Sequence, residues 1–299
     1  MAGSDSERAR ETGPAGTLHT VTTANGDRVA YTTYGDPDGA PVLFLHGTPG
    51  SRRLGTLFDD EARERGLSII AVDRPGYGES PARPDRTPTD VVEGLDAVLA
   101  AAGATRAGVV AFSGGSRYAL ALAAETDHHI DRVDLIAGSV PPRFEDSPPR
   151  VQWLLGRLAN RTPRTLAALV RGQAWIAKHA SPSFVTAQYT GDGAKSSIPQ
   201  QVEECVRQDF LAALRQGGAG FVQETRELRT EWGVESEAID CDVHCWHGDR
   251  DNNVPIPSVR RFVSALDPAT LSVCEGADHL GTLVEARPAG LDTQRDTLA

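Results

Sequence analysis

A succession of short, almost unbroken apolar runs, each ending in a loop of small or polar residues, constrains this chain more than any other feature. Residues 41–45, 67–72 and 107–112 form such runs, and 132–137, 243–246 and 271–274 read as further strands. Strands without polar alternation suit a sheet that is buried on both faces. Between them, residues 54–65, 89–102, 117–125 and 257–266 read as helices, with Gly66 and Gly103 as stops after the first two. Strands alternating with helices predict βαβ units and a mostly parallel, doubly wound α/β sheet. Residues 18–24 and 28–34 are β-prone and joined by Asn25-Gly26-Asp27, a hairpin signal that predicts an antiparallel pair at one edge.

The alternation breaks at residue 141 and resumes after 233. The intervening block is punctuated by Pro141-Pro142, Pro148-Pro149 and the loop at Thr190-Gly191-Asp192-Gly193. Its clearest helix is 200–216, where Val202, Val206, Phe210 and Leu214 recur at helical period, Ser197 stands at capping-box spacing from Gln200, and Gly217-Gly218 end the run. The predicted organisation is therefore a polar, disordered tail over 1–16, a core formed by 17–140 and 234–299, and a helical cap inserted over 141–233. The insertion holds Trp153, Trp175, Trp232, Phe184, Phe210 and Phe221. They read either as its own small core or as a lid whose aromatics favour an apolar substrate group. Beyond residue 279, Pro288 and Gly290 predict at most a short helix and a loose end.

Composition removes several classes of function. With 30 Lys and Arg against 41 Asp and Glu, the net charge is −11, a poor match for a phosphate backbone. Lys178 and Lys195 are the only lysines, which fits either a GC-rich genome or an acidic surface that keeps its hydration in high salt. No signal peptide and no apolar run of membrane-spanning length is visible. The expectation is a soluble, cytoplasmic protein with a small-molecule substrate and no nucleic-acid or membrane partner. Cys241 and Cys245 have the spacing of half a zinc site, but no second Cys/His pair stands at ligand spacing, so they read as small core residues and no metal is expected. The spacings of the dinucleotide and P-loop motifs are absent, and no cofactor is expected.

The chemistry is carried by Ala111-Phe112-Ser113-Gly114-Gly115, a strand, a sharp turn and a helix with serine at the apex. This is the layout of a nucleophile elbow, G-x-S-x-G, with alanine in the first glycine position. A serine hydroxyl needs a base to take its proton and a carboxylate to orient that base. Asp251 and His279 follow in the order Ser…Asp…His, each just after a predicted strand, which in a parallel sheet gathers them at one end. Asp249 is the nearest rival to Asp251, and Ser116, inside the predicted helix, is a weak rival to Ser113.

Taken in order, His46-Gly47-Thr48-Pro49-Gly50, Asp73-Arg74-Pro75-Gly76-Tyr77-Gly78, the serine turn, Gly248-x-x-Asp251-x-x-Val254-Pro255 and Gly276-Ala277-Asp278-His279 resemble the α/β-hydrolase superfamily over roughly residues 17–284. The resemblance implies Ser113 as nucleophile, Asp251 as acid, His279 as base and Asp278 as a residue that fixes the histidine loop. It implies the backbone N–H groups of Thr48 and Gly114 as an oxyanion hole, with His46 supporting that loop rather than carrying protons. The implied activity is hydrolysis of a carboxylic ester or related acyl bond through an acyl-serine. Dehalogenases and epoxide hydrolases of this fold use aspartate where Ser113 stands. The elbow lacks the tryptophan of the proline iminopeptidases. C–C hydrolases, cofactor-free haloperoxidases, a thioesterase and a non-catalytic ligand-binding protein are the remaining alternatives. Arg52 and Arg53 beside the oxyanion loop are candidates for an acidic substrate group, or are simply solvated.

Overall fold

The computed structural model describes residues 16–299 except 85, 127, 147–148, 192–197 and 268. The capping role of Ser197 and the tail over 1–15 lie outside the described residues. Eight strands form one sheet: β1 (Thr17–Thr22), β2 (Arg28–Gly35), β3 (Ala40–Leu45), β4 (Leu67–Asp73), β5 (Arg106–Phe112), β6 (His129–Ile136), β7 (Asp242–Gly248) and β8 (Ala269–Cys274), in spatial order β1-β2-β4-β3-β5-β6-β7-β8. The β1–β2 hairpin is antiparallel and β2 pairs antiparallel with β4, while β4, β3, β5, β6, β7 and β8 run parallel. The hairpin turn depends on Gly26, whose φ of +83° lies in the left-handed region.

Alternate residues along each central strand feed opposite layers. Leu43 and Leu45 of β3, with Val109 and Ala111 of β5, join one apolar cluster, packed by α2 (Pro88–Ala101), α3 (Ser116–Glu125) and α9 (Ile256–Ala265). Val42, Phe44, Val110 and Phe112 point into the other, packed by α1 (Asp59–Glu64) and α10 (His279–Leu298). The period-two pleat accounts for this division. Thr87 starts α2 with a reciprocal capping box to Asp90. Among the described residues, five α-helices stand between β6 and β7: α4 (Arg150–Arg161), α5 (Pro163–His179), α6 (Pro182–Thr186), α7 (Gln200–Ala213) and α8 (Ala219–Glu227). Their inward residues, including Leu166, Val170, Val185 and Phe210, belong to the second cluster rather than to a separate core.

Three sequence expectations need correction. The first turns of the helix expected over 54–65 are a 3-10 segment, Arg52–Phe58, leading into α1. Gly55 lies against the sheet there, where a Cβ would come within 2.6 Å of the Ala71 side chain. The helix expected to reach 216 ends at Ala213, and Pro199, not a side-chain cap, precedes it. The loose end expected after 279 is a 20-residue helix with Pro288 inside it. Burial overrides the proline: α10 packs across β5, β6 and β7, and Leu283 and Leu291 are fully buried. Among the described residues, no helix is long and apolar enough to cross a membrane, and no cluster of three or more His, Cys, Asp or Glu can hold a metal ion. Cys241 and Cys245 are free thiols buried in the first cluster.

If α10 is a core element, Leu291→Ala will lower the unfolding free energy by about 2–5 kcal/mol in urea melts. A loose tail would give a change within about 0.5 kcal/mol.

Candidate active site

The order of the parallel strands reverses between β3 and β5, whose carboxyl ends therefore flank a crevice, the place where open α/β sheets gather their reactive groups. Ser113 sits there at the end of β5, with φ +51°. A non-glycine residue held in the left-handed region costs of order 1–3 kcal/mol. The surroundings hold it: the Ser113 carbonyl accepts from the Ser139 N–H at 3.0 Å and from the Ser116 hydroxyl at 2.9 Å. Ser116 is thus spent on the turn, which removes it as a rival. A Cβ on Gly115 would lie 2.6 Å from the Leu45 carbonyl oxygen, so position 115 tolerates only glycine. Ala111, which stands in the first glycine position of the motif, is fully buried.

His279 opens α10 and reaches Ser113: its Nε2 is 2.9 Å from the serine Oγ. Its Nδ1 lies 2.7 Å from Asp251 Oδ2. A carboxylate only accepts, so Nδ1 carries the proton and Nε2 is free to accept from the serine hydroxyl. Asp251 Oδ1 takes the N–H groups of Asn253 at 2.8 Å and Val254 at 2.9 Å. Burial raises the Asp251 carboxyl, but facing His279 and the hydrogen bonds from His247 and His279 outweigh it and hold the group well below the usual carboxylate range. Asp249, the rival, accepts instead from the Gly276 N–H at 2.6 Å and pins the turn after β8. Asp278 caps α10 through the Gly281 N–H and also accepts from the Gly191 N–H at 3.0 Å, tying the histidine to the inserted segment.

His247, at the end of β7, has no role that its local sequence reveals. It is 1% exposed, with Nε2 2.8 Å from the Val254 carbonyl and 3.3 Å from Asp251 Oδ2. The carbonyl also only accepts, so Nε2 carries the proton and steadies the aspartate alongside His279.

The loop after β3 is held by a buried polar network. His46 Nδ1 donates to the Gly47 carbonyl at 2.7 Å, and its Nε2 accepts from the Arg74 N–H at 3.3 Å. Burial first, then the Arg74 charge, push this imidazole well below its ordinary pKa, so it stays neutral as a strut. Arg74, itself fully buried, donates to the His46 carbonyl at 2.5 Å and the Gly47 carbonyl at 3.0 Å. Its Nε meets Glu224 of α8 at 2.7 Å. Glu224 also accepts from the Thr48 hydroxyl at 2.7 Å and the Tyr77 hydroxyl at 2.9 Å. Burial opposes its ionisation, but Arg74 first and then Arg86 bring the carboxyl down to about 2. Nothing in the local sequence of α8 marks Glu224; only the fold brings it across 150 positions to Arg74. Thr48 and Gly114 stand side by side next to Ser113, since a Cβ on Gly114 would lie 2.3 Å from the Thr48 Oγ1.

Ser113, Thr48 and Gly114 open into a cavity of about 530 Å³ between the sheet end and the inserted helices. Its lining combines Leu155, Leu228, Val140 and Val254 with Gln152, Asn252, Asn253 and the Arg229–Glu145 ion pair. Of the six insertion aromatics, Phe221 alone lines this cavity; Tyr189 joins it and stacks over His279 at 6.2 Å between ring centroids. Trp153, Trp175 and Phe184 face outward and Trp232 packs in the first cluster, so the pocket is less aromatic than the sequence suggests. Arg52 is also not a surface residue: it is buried and spent on Asp73 at 2.5 Å and the Thr32 hydroxyl at 2.9 Å.

A family model described as alpha/beta hydrolase fold matches residues 40–286. A non-heme chloroperoxidase from Streptomyces lividans is 27% identical over 270 residues, covering 88% of this chain and 93% of its own. Among solved structures, the esterase EaEST from Exiguobacterium antarcticum aligns with a TM-score of 0.68 at 19% identity, covering 93% of this chain and 98% of that one. A bromoperoxidase from Bacillus anthracis aligns with a TM-score of 0.72 at 16% identity, covering 94% and 99%. At these identities the structural matches speak to the fold.

Two predictions concern the charges that join the insertion to the sheet. Glu224→Ala strands Arg74 in the interior and will cost about 3–5 kcal/mol of stability, more than the double replacement Arg74→Met with Glu224→Leu, as read from urea melts. Asp209 of α7 accepts from the Ser51 N–H at 2.8 Å, the Ser51 hydroxyl at 2.7 Å and the Leu54 N–H at 3.2 Å. Burial outweighs those bonds and pushes its carboxyl from 3.8 up to about 7. Between those values the folded chain holds a proton that the unfolded chain has lost, so Asp209 makes stability fall as pH rises, by up to about 1.4 kcal/mol per pH unit. Asp209→Asn will remove that contribution, leaving the variant relatively more stable than wild type above neutrality in melts across the range. An unchanged pH profile would refute the buried-proton account.

Proposed function

The chain belongs to the alpha/beta hydrolase fold family, and from that premise we propose that it is a serine hydrolase. It cleaves a carboxylic ester or related acyl bond of a small molecule through an acyl-serine intermediate. The observation that carries this reading is the hydrogen-bonded line Ser113–His279–Asp251, with Ser113 and the Thr48–Gly114 pair at the cavity wall.

In this reading, His279 Nε2 takes the hydroxyl proton as Ser113 Oγ attacks the acyl carbonyl. Asp251 keeps Nδ1 protonated and stabilises the imidazolium that forms. The N–H groups of Thr48 and Gly114 donate to the oxygen that gains negative charge, and the one on Gly114 lies at the start of the turn into α3. His279 then gives its proton to the leaving group. Water, deprotonated by the same nitrogen, attacks the acyl-serine and frees Ser113. The Arg74–Glu224 network acts one step back, by fixing Thr48. The inserted segment over 141–233 serves as the cap that shapes the acyl and alcohol sites. The aliphatic lining residues support an apolar group on the substrate, and the Gln and Asn side chains support a hydrogen-bonding one.

The chloroperoxidase relative favours a second acceptor for the same acyl-serine. Hydrogen peroxide in place of water yields a peracid, with no change in the groups used.

A fluorophosphonate probe will form an adduct on Ser113 in the folded protein, and Ser113→Ala will abolish both labelling and hydrolysis of a p-nitrophenyl ester series. Asp251→Asn will lower kcat by about 10⁴-fold, because the histidine is left in the wrong tautomer. Equal ester hydrolysis by wild type and Ser113→Ala would sink the proposal. Adding peroxide and bromide to the same enzyme, and scoring dye bromination that Ser113→Ala lacks, tests the second acceptor.

A further inference from the structure

The charge of this chain is not spread evenly. Residues 149–191 contain none of its 41 Asp and Glu, yet they hold Arg150, Arg157, Arg161, Arg164, Arg171 and Lys178. All six are exposed. Among the described residues, none of the six enters an ion pair, whereas most arginines elsewhere do. The exposed large apolar side chains of the described residues fall in the same stretch. Val151, Trp153 and Leu154 of α4 are 68%, 50% and 51% exposed, and Leu169, Trp175 and Ile176 of α5 are 58%, 68% and 45% exposed.

On α5 the two properties are segregated. Leu166, Val170 and Ala177 face the protein. Leu169 and Ile176 are one heptad apart on the exposed part of the helix, and Trp175, about 100° round from Ile176, is exposed as well. Arg164, Arg171 and Lys178 also repeat every seven residues, and such residues stay aligned to within about 20° per step. At about 100° per residue, the cations and the Leu169–Ile176 pair flank the exposed arc of the helix on opposite sides, with Trp175 between them on the side nearer the cations. Arg157 of α4 adds a guanidinium 4.7 Å from the Trp153 ring.

From this geometry we propose that the outer face of α4 and α5 docks on an anionic lipid surface. Tryptophan, leucine and isoleucine enter the boundary between headgroups and acyl chains while the arginines and Lys178 take the headgroup charges. A lipid surface satisfies the apolar side chains and the cations together. A second copy of this chain does not, because a two-fold contact through this face offers the cations no carboxylate from 149–191. The overall acidity that predicts no membrane partner averages over this segregation. The docking face also adjoins the cavity: Gln152 and Leu155 of α4 line it, and Val151 both lines it and is exposed. A substrate dissolved in the surface layer thus enters beside Ser113 without crossing bulk water. The surface proposal goes beyond the hydrolase reading and does not require it.

The test is flotation of the full chain with vesicles of phosphatidylcholine alone and of equimolar phosphatidylcholine and phosphatidylglycerol. Wild type will partition onto the anionic vesicles at least about tenfold better, and high salt will weaken the binding. Arg164→Glu with Arg171→Glu and Lys178→Glu will abolish the preference, and Trp175→Ser with Ile176→Ser will lower partitioning by about tenfold or more. Both variants will hydrolyse a soluble ester at the wild-type rate, which also shows that they fold; loss of ester hydrolysis in wild type bears on the hydrolase reading alone. Failure of wild type to bind anionic vesicles overturns the proposal. So does a dimer in sedimentation that Trp175→Ser with Ile176→Ser dissociates, since the face is then covered by a second copy.

Discussion

The ion pair between Arg74 and Glu224, with both side chains at zero exposure, is the constraint around which the rest is arranged. Withdrawing two charges from water costs several kcal/mol per ion, and attraction offsets this only where every remaining donor and acceptor is used. Here the surplus bonding capacity goes to the His46 and Gly47 carbonyls, the Thr48 hydroxyl and the Tyr77 hydroxyl. One interaction therefore fixes three pieces of chain that are far apart in sequence: the loop after β3, the loop after β4, and α8. A merely apolar contact would allow these pieces to slide. The paired charges allow one register only, and Thr48 is held beside Gly114 as a result.

The turn at Ser113 follows the same logic on a smaller scale. Its backbone is in an unfavourable region, and the cost is met by a carbonyl bonded twice and by glycines where neighbouring backbone approaches closely. The topology supplies the rest. Because the strand order reverses between β3 and β5, the loops carrying Thr48 and Ser113 diverge from adjacent strands, and β7 and α10 bring Asp251 and His279 to the same edge.

Much of this is legible in the sequence for a local reason. Strands buried on both faces announce themselves as apolar runs, Asn25-Gly26 marks its own turn, and the placement of Ser113, Asp251 and His279 just after strands follows from the alternation itself. What is not legible depends on partners remote in sequence. Pro288 reads as a break until α10 is seen to lie on three strands. Glu224 and Asp209 look like ordinary helix-surface acids, yet each crosses to the core, one to Arg74 and the other to Ser51. Arg52 and Arg53 are adjacent, and nothing local says that Arg52 turns inward to Asp73. The insertion aromatics are readable as apolar but not as pointing in or out, because α4 and α5 carry apolar residues on more than one face.

Remote partners also complete the start of α10. The Leu280 N–H donates to the Tyr189 carbonyl and Asp278 accepts from the Gly191 N–H, so the first turn of the helix that carries His279 is finished by atoms of the inserted segment. The order of that turn and the position of residues 189–191 are thermodynamically linked. Whatever orders the segment also orders the imidazole, and a segment drawn aside leaves a histidine whose helix has lost two of its anchors. The imidazole beside Ser113 thus takes its place from a helix turn that two remote backbone groups complete.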